Sequence, residues 1–434
     1  MATTLMGIED VFSLKDSKDV VVVGVVKGTI KEGAAVYLTN CGEDEGGQFL
    51  TVVKSIETAP SVSATEATDC RVGLRLENGT AFKIKKGTVL FSRDAGTQDV
   101  FGAYTRTLGD VFVVRQKLEI SEAEFEVLSM ADCAEIWRLF LWYKKNVIKD
   151  DSEEAKRADR EKVNRIGAVL CKKILAADAI YCVFSKVTGE PHMFSQTVNR
   201  GDGSYMCTPP QITIGSKGYA EVTAKQLSAE KYEIRKIDNG EDKKGIYNFL
   251  GSTFYLNGAC EVCVQSQQTS IAAEMLVPKP DYDSVPPQNR PVTNPDLMRW
   301  MLLIGQMGKP EGKDAELIYR LYYKFMSTEL VKAQLLIPMQ QEGEKPQPDE
   351  NGKVVLTKDV KFKFPTMKGK GERAAIRMYT DWKRLRMIYD KEWGGMVQLV
   401  SGMIETFDCA INATQFPAAG CYISKEMFED MKKI

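Results

Sequence analysis

Hydrophobic and polar positions alternate in short runs along the first part of the chain. The apolar runs are Val20–Val26, Ala35–Leu38, Phe49–Glu57, Cys70–Leu76 and Val89–Phe91. Glycines separate these runs, and short β-branched runs between glycines predict strands joined by turns. Because closing a sheet removes its exposed edges, the even spacing predicts a small all-β barrel over residues 1–95.

The hydrophobic pattern changes its period after the predicted barrel. Apolar residues recur at helical spacing over Ile120–Asn146, and Ser121 with Glu124 has the form of a capping box. A second helix is predicted from the charged stretch at Lys149 to about Leu175. The strands predicted next are Ala179–Phe184, Gln211–Ile214, Tyr219–Thr223 and Ala259–Gln265. Residues 96–277 are therefore predicted to hold a helical segment and an α+β domain.

A proline-rich stretch, residues 278–295, predicts an extended linker. Beyond it, residues 296–434 are predicted to form another α+β domain. Its predicted helices are Asn294–Met307, Asp314–Met326, Asp381–Ile388 and Ser424–Lys432. Its predicted strands are Gln334–Pro338, Val354–Thr357, Ala374–Tyr379, Met396–Val400 and Cys409–Asn412.

Composition narrows the function classes. The 58 Lys and Arg residues nearly balance the 59 Asp and Glu residues, so the basic excess typical of a nucleic-acid-binding protein is missing. The first residues lack the basic and apolar regions of a signal peptide, and no apolar run is long enough to span a membrane. The 10 cysteines are scattered, mostly in apolar runs. These features predict a cytoplasmic protein without cofactor, required disulfide or membrane association.

Few residues suggest reaction chemistry. His192 is the only histidine, which excludes multi-histidine zinc sites, and it is expected to be exposed and idle in a loop. Cys260 and Cys263 form a C-x-x-C pair, but inside a predicted strand their side chains point to opposite faces and are expected to pack in the core. Cys207 has no basic neighbour in sequence and is given no role. No catalytic or metal-binding residue is predicted.

The run Lys361–Lys370 interleaves basic residues with phenylalanines. Lys361, Lys363, Lys368 and Lys370 are therefore candidate contacts to single-stranded nucleic acid, although a solvated strand and turn is the favoured interpretation. A second basic group, Lys383, Arg384 and Arg386, lies on a predicted helix. Its Trp382, Leu385 and Ile388 are expected to face inward, which leaves the basic side chains in solvent. 

The stretch IEDVFSLKDSKDVVVVGVVKGTIKEGAAVYL, followed by TVVKSIE, CRVGLRL and IKKGTVL, resembles the domain 2 β-barrel of elongation factor Tu and related translational GTPases. The resemblance implies a β-barrel and a structural or docking role. In those factors the barrel follows a GTPase domain, whereas this barrel is predicted from residue 1. The sequence also contains no G-x-x-x-x-G-K-[ST] phosphate loop, so GTP hydrolysis is not implied.

The C-terminal stretches FMSTELVKAQLLIPM, ERAAIRMYTDWKRLRMI and MVQLVSGMIETFDCAINATQFPAAGCYISKEMFEDM resemble the N-terminal domain of the SseB family (enhanced serine sensitivity protein B). Thr380–Leu385 and Ala410–Asn412 carry the resemblance most clearly. No established catalytic set comes with this family. The apolar pattern of residues 249–265 also recurs at 399–415, an offset of 150, so residues 96–277 are a candidate diverged copy of the same unit.

These features together predict a multidomain, bacterial-type protein in which the barrel precedes one or two SseB-like α+β domains. The expected function is that of a non-enzymatic binding or scaffold protein with protein partners. The alternative is an RNA- or ribosome-associated factor that uses the barrel and the Lys361–Lys370 run. An enzyme with a carboxylate site is the third hypothesis, because the many acidic residues leave many pairings open.

Overall fold

The structure, a computed structural model, has several domains, with an antiparallel β-barrel at the N-terminus and mixed α/β regions after it. It describes residues 3–42, 47–147, 152–202, 204–265, 269–286, 289–342, 361–369 and 371–434. Among the helices of these ranges, none combines the length and the apolar character needed to cross a membrane.

The barrel confirms the prediction from the first 95 residues. Its strands are β1 (Leu5–Ser13), β2 (Val20–Lys27), β3 (Thr29–Lys31), β4 (Ala35–Thr39), β5 (Phe49–Ala59), β6 (Val62–Ala64), β7 (Glu66–Thr68), β8 (Arg71–Leu76) and β9 (Val89–Phe91). The pairing order is β4-β9-β1-β2-β8-β5, and β5 pairs back with β4, which closes the barrel. Alternate residues of β2, including Val20, Val22 and Val26, fill its interior.

A helical region follows the barrel. It consists of α1 (Thr97–Leu108), a π-helical segment (Gly109–Arg115), α2 (Glu122–Val127), α3 (Met130–Asn146) and α4 (Glu153–Ala176). The single helix predicted over Ile120–Asn146 is wrong, because the chain breaks it at Leu128, which has an extended backbone. Ser121 with Glu124 and Ser129 with Asp132 each form a complete capping box, so each helix has its own start.

The first α+β unit runs from α4 to α7. Its further elements are β10 (Ala179–Ser185), β11 (Met193–Phe194), β12 (Thr197–Asn199), β13 (Tyr205–Cys207), β14 (Gln211–Gly215), α5 (Lys217–Ala224), β15 (Tyr232–Asp238), α6 (Gly245–Tyr255), β16 (Glu261–Val264), β17 (Ser270–Ala272) and α7 (Ala273–Leu276). The main sheet has the order β15-β10-β14-β16-β17, in which β14 and β16 are parallel. The predicted strand Tyr219–Thr223 is wrong, since Ser216 caps helix α5 there.

The second α+β unit follows α8 (Pro295–Met307). Its elements are α9 (Lys313–Lys332), β18 (Gln334–Glu342), β19 (Lys361–Lys363), β20 (Thr366–Lys368), β21 (Ala374–Met378), α10 (Trp382–Arg386), β22 (Gly394–Leu399), α11 (Val400–Met403), β23 (Asp408–Ile411), β24 (Cys421–Ile423) and α12 (Lys425–Met431). The predicted strand Val354–Thr357 lies outside the described residues. A pair of backbone hydrogen bonds between Leu336 and Tyr379 joins β18 to β21.

The two units share one strand order. In the second unit it is β22-β18-β21-β23-β24, and here too the central strand, β21, is parallel to the next one, β23. The backbone N–H of Gln265 donates to the Ile214 carbonyl, and the backbone N–H of Asn412 donates to the Met378 carbonyl. Gln265 and Asn412 also share a left-handed backbone, with φ values of 57° and 51°. They are thus equivalent positions, and the offset in this strand is three residues smaller than the 150 of the sequence comparison.

The barrel has a hydrophobic core of its own, whereas the helical region and both α+β units share one continuous core. Helix α8 lies between the units: Leu297, Met298 and Leu302 are buried in that core. Charged side chains along this shared boundary, Glu190, Asp381 and Arg384, are also buried.

Candidate functional site

Buried charges meet where the loop after β10 contacts the start of α10. Glu190 and Asn257 come from the first α+β unit, and Asp381, Lys383 and Arg384 come from the second. We call these five residues the Arg384 cluster. Arg384 is only 2% exposed, which is exceptional for arginine, because a buried guanidinium needs partners for its charge and its donors.

The charged and amide side chains of the Arg384 cluster hydrogen-bond and pair with one another. The Arg384 guanidinium donates to Asp381, to Asn257 Oδ1 at 2.6 Å and to Glu190 Oε1 at 3.2 Å. Lys383 Nζ lies 3.0 and 3.1 Å from the two Glu190 oxygens. Asn257 Nδ2 donates to Glu190 Oε2 at 2.9 Å. Each carboxylate therefore faces a cation from this chain, and the cluster has the form of a junction between the units.

Local structure positions Asp381, Arg384 and Glu190. Asp381 is the N-cap of α10 and accepts from the Arg384 backbone N–H at 2.9 Å. Thr380 Oγ1 donates to Asp381 Oδ2 at 2.8 Å, and Thr380 N donates to Asn412 Oδ1 at 3.0 Å. Gly189, beside Glu190, has a φ of 70° and a Cβ there would lie 2.6 Å from the Phe416 ring. Only glycine lets the two loops approach so closely.

The expectation that Arg384 lies on a solvated helix face is wrong. Helix α10 has only five residues and ends at Arg386, so the predicted inward face does not extend to Ile388, which is exposed. Lys383 and Arg386 are both exposed; Lys383 pairs with Glu190, and the Arg386 guanidinium lies over the Trp382 ring. The one local signal for the buried pair is an aspartate at an N-cap followed three residues later by arginine.

A second buried ion pair joins the barrel to the helical region. Lys85, shortly before β9, pairs with Asp132 at the start of α3, and both side chains are almost fully buried. Tyr104 donates its hydroxyl proton to Asp132 Oδ1 at 2.9 Å. Burial, and after it the Asp132 carboxylate, raises the pKa of Tyr104, so this hydroxyl stays protonated. No local pattern in the sequence indicates this pair, because Lys85 and Asp132 are 47 positions apart.

The lysines proposed as nucleic-acid contacts lie on two neighbouring edge strands. Lys361 and Lys363 are on β19 and Lys368 is on β20, and all three side chains are exposed. Phe364 between the strands packs against the shared core. Lys370 lies outside the described residues. The structure thus places three of the four candidates on one solvent-facing stretch.

The cysteines are free and have raised pKa values where a shift is resolved. Cys263 is buried in β16, and burial raises its pKa to about 12. Cys260, just before that strand, and Cys207 also have raised pKa values, again mainly through burial. A high thiol pKa leaves little thiolate, the reactive form, at neutral pH. Within the described ranges, no three His, Cys, Asp or Glu side chains are grouped to hold a metal ion.

The single histidine is not the exposed loop residue that the sequence suggests. The His192 ring packs edge-on against Tyr232, with 4.7 Å between ring centroids. Burial lowers the pKa of His192 from its ordinary 6.5, and a hydrogen bond with Gln306 of α8 offsets part of this decrease. The neutral imidazole therefore helps to pack α8 against the first α+β unit.

We expect the His192 imidazole to titrate with a midpoint below 6.5 in the folded protein. Because the unfolded chain then binds the proton more tightly, the stability contributed by neutral His192 is complete above pH 6.5 and decreases as the pH falls through the folded-state midpoint. As the chain has one histidine, its ring protons can be followed without assignment by NMR. The same titration in urea gives the reference. A folded midpoint equal to or above that reference would contradict this account.

A groove of about 350 Å³ lies between the outer face of β1 and β2 and helix α1. Its lining carries both signs of charge, with Lys27 and Arg106 beside Asp99 and Asp110. Its floor is formed where α1 packs on Gly7: a Cβ there would lie 1.7 Å from Thr107 Oγ1. This mixed lining does not select one ligand class.

Comparison with known proteins finds no matching family model and no matching curated protein. Solved translation factors are similar to parts of the chain. Apo translation elongation factor SelB from Methanococcus maripaludis is 27% identical over 22% of this chain and 19% of that one, with a TM-score of 0.19. The SelB complex with the GTP analogue GppNHp is 26% identical over 22% of this chain and 20% of that one, with a TM-score of 0.19. GDP-bound aIF5B from Aeropyrum pernix is 10% identical over 58% of this chain and 60% of that one, with a TM-score of 0.21. This chain matches about a fifth of the SelB structures.

Proposed function

We propose that the protein is a non-enzymatic binding or scaffold protein of the cytoplasm that acts through contacts with other proteins. The observation that carries the proposal is the location of its buried charges and the way they are paired. Both the Arg384 cluster and the Lys85–Asp132 pair lie between parts of the chain, and their carboxylates are neutralised by cations of this chain. Charges arranged in this way fix the relative positions of domains, which is what a platform for partners requires.

The two α+β units are, in this proposal, diverged copies of an SseB-like unit. Their shared strand order and the equivalent hydrogen bonds of Gln265 and Asn412 support a common origin. The partners of the chain would then bind to the surfaces of two related sheets and a barrel. 

The test is to capture partners on the tagged, purified chain and to rebind each candidate as a purified protein. Saturable binding at a fixed stoichiometry by calorimetry is the expected result. A broad substrate screen of the same preparation provides the opposing measurement. A specific turnover that follows the protein through purification would overturn the non-enzymatic assignment.

The alternative function is an RNA- or ribosome-associated factor, and the exposed lysines of β19 and β20 favour it. It predicts salt-sensitive RNA retention that decreases when Lys361, Lys363, Lys368 and Lys370 are changed to glutamine. The matched control changes Lys15, Lys225, Lys309 and Lys391, which are exposed. Equal retention by both variants, or no retention at low salt, would exclude this alternative.

A further inference from the structure

The two sheets differ in the chemistry of equivalent edge strands. Strand β15 forms the outer edge of the first sheet, and four of its seven residues, YEIRKID, are charged. Its charges also pair along the strand, Arg235 with Glu233 and Lys236 with Asp238. Strand β22 occupies the same place in the second sheet, but none of its six residues, GGMVQL, is charged. Charged side chains are what protects a sheet edge from pairing with another strand.

Strand β22 exposes apolar side chains as well as an open edge. Val397 is 45% and Leu399 39% exposed. Among the described residues β22 pairs with β18 alone, so its other edge has no strand beside it. The remaining edges of the two units are strands of two or three residues, β11, β17 and β24, or strands that carry lysine, β19 and β20. Strand β22 is therefore the one unprotected edge in the described parts of the two main sheets.

We propose that β22 pairs antiparallel with β22 of a second copy of this chain. A twofold axis perpendicular to the sheet keeps each face on its own side, so Val397 can lie opposite Val397 of the partner subunit. In that register Leu399 lies opposite a glycine, Gly395, and Met396 lies opposite Gln398. In each of these cross-strand pairs, uncharged side chains face each other, so no like charges lie opposite one another.

Charge favours a second copy as the occupant. An uncharged strand offers no ionic group by which to select a foreign peptide, whereas it matches its own uncharged copy. The net charge of the whole chain is −1, so two copies do not repel each other strongly. The pairing joins the two second sheets into one continuous sheet across the axis. This inference goes beyond the proposed function and does not rest on it.

The experiment is sedimentation equilibrium of the full chain over a wide range of concentrations. We expect a reversible dimer, because a contact limited to one strand buries little area. Val397→Lys places two lysines opposite each other and is expected to weaken the dimer at least about tenfold. The matched control, Val25→Lys, makes the same change at a 44% exposed position on an inner strand of the barrel and should leave the dimer unchanged.

Mixing Val397→Lys with Val397→Glu tests the register and rules out misfolding. Lysine then lies opposite glutamate, so the heterodimer in the mixture should be tighter than the homodimer of either variant. A monomer at every concentration would overturn the proposal, as would a dimer that Val397→Lys does not weaken. Binding of β22 to a strand of a different protein, with the chain alone monomeric, would overturn the assignment of a second copy.

Discussion

Replacing Arg384 with methionine is expected to lower the free energy of unfolding by about 3–5 kcal/mol. Methionine fills a similar volume but removes the guanidinium that Glu190 and Asp381 share. Both carboxylates stay almost fully buried, and only Glu190 retains another cation, Lys383. A buried carboxylate without its partner is costly, because the folded protein cannot replace the lost hydration. Urea denaturation followed by circular dichroism measures the change.

The matched control is Arg320→Met on α9. The Arg320 side chain is 81% exposed and lies 4.0 Å from Glu316, so its loss should cost at most about 1 kcal/mol. A cycle with Glu190→Gln then separates the ion pair from other effects, and we expect a coupling of about 0.5–3 kcal/mol between positions 190 and 384. Equal costs for Arg384→Met and Arg320→Met would show that the Arg384 cluster does not hold the units together.

The barrel was predictable from sequence because its information is local. Val20, Val22 and Val26 alternate with more exposed positions, and this alternation is what a strand with one buried face requires. Glycines at Gly28 and Gly33, both with positive φ, mark the turns. Strand β1 is less visible in the pattern, since Glu9 is buried in it and pairs with Arg71 and Arg115.

The Arg384 cluster was not predictable because its partners are distant in sequence. Glu190 and Asn257 are separated from Arg384 by 194 and 127 positions. Periodicity along one helix assigns arginine to solvent, and only the packing of two units reverses that assignment. Helix α5 is a second example: Tyr219–Thr223 has the composition of a strand, but the Ser216 hydroxyl accepts from the Tyr219 N–H and starts a helix.

Replacing Asp132 with alanine is likewise expected to lower the free energy of unfolding by about 3–5 kcal/mol. The carboxylate accepts from Lys85, from the Tyr104 hydroxyl and from the Ser129 backbone N–H. Its loss removes the Asp132 counter-charge from the buried Lys85 ammonium and removes the capping box of α3. Since Lys85 belongs to the barrel, limited proteolysis should also show faster cleavage between the barrel and the helices. Asp99→Ala, at an exposed position in the first turn of α1, is the control and should change stability by less than about 1 kcal/mol.

The double variant Lys85→Met, Asp132→Leu decides why the single change is costly. If the cost comes from separating the buried Lys85 ammonium from the Asp132 carboxylate, removing both charges restores part of the stability, because apolar side chains can fill the same space. We therefore expect the double variant to be more stable than Asp132→Ala, although Tyr104 and the Ser129 N–H still lack their acceptor. If the double variant is as unstable as the sum of the two single variants, the attraction between Lys85 and Asp132 contributes little. The cap and the Tyr104 hydrogen bond would then be the main attachments of α3.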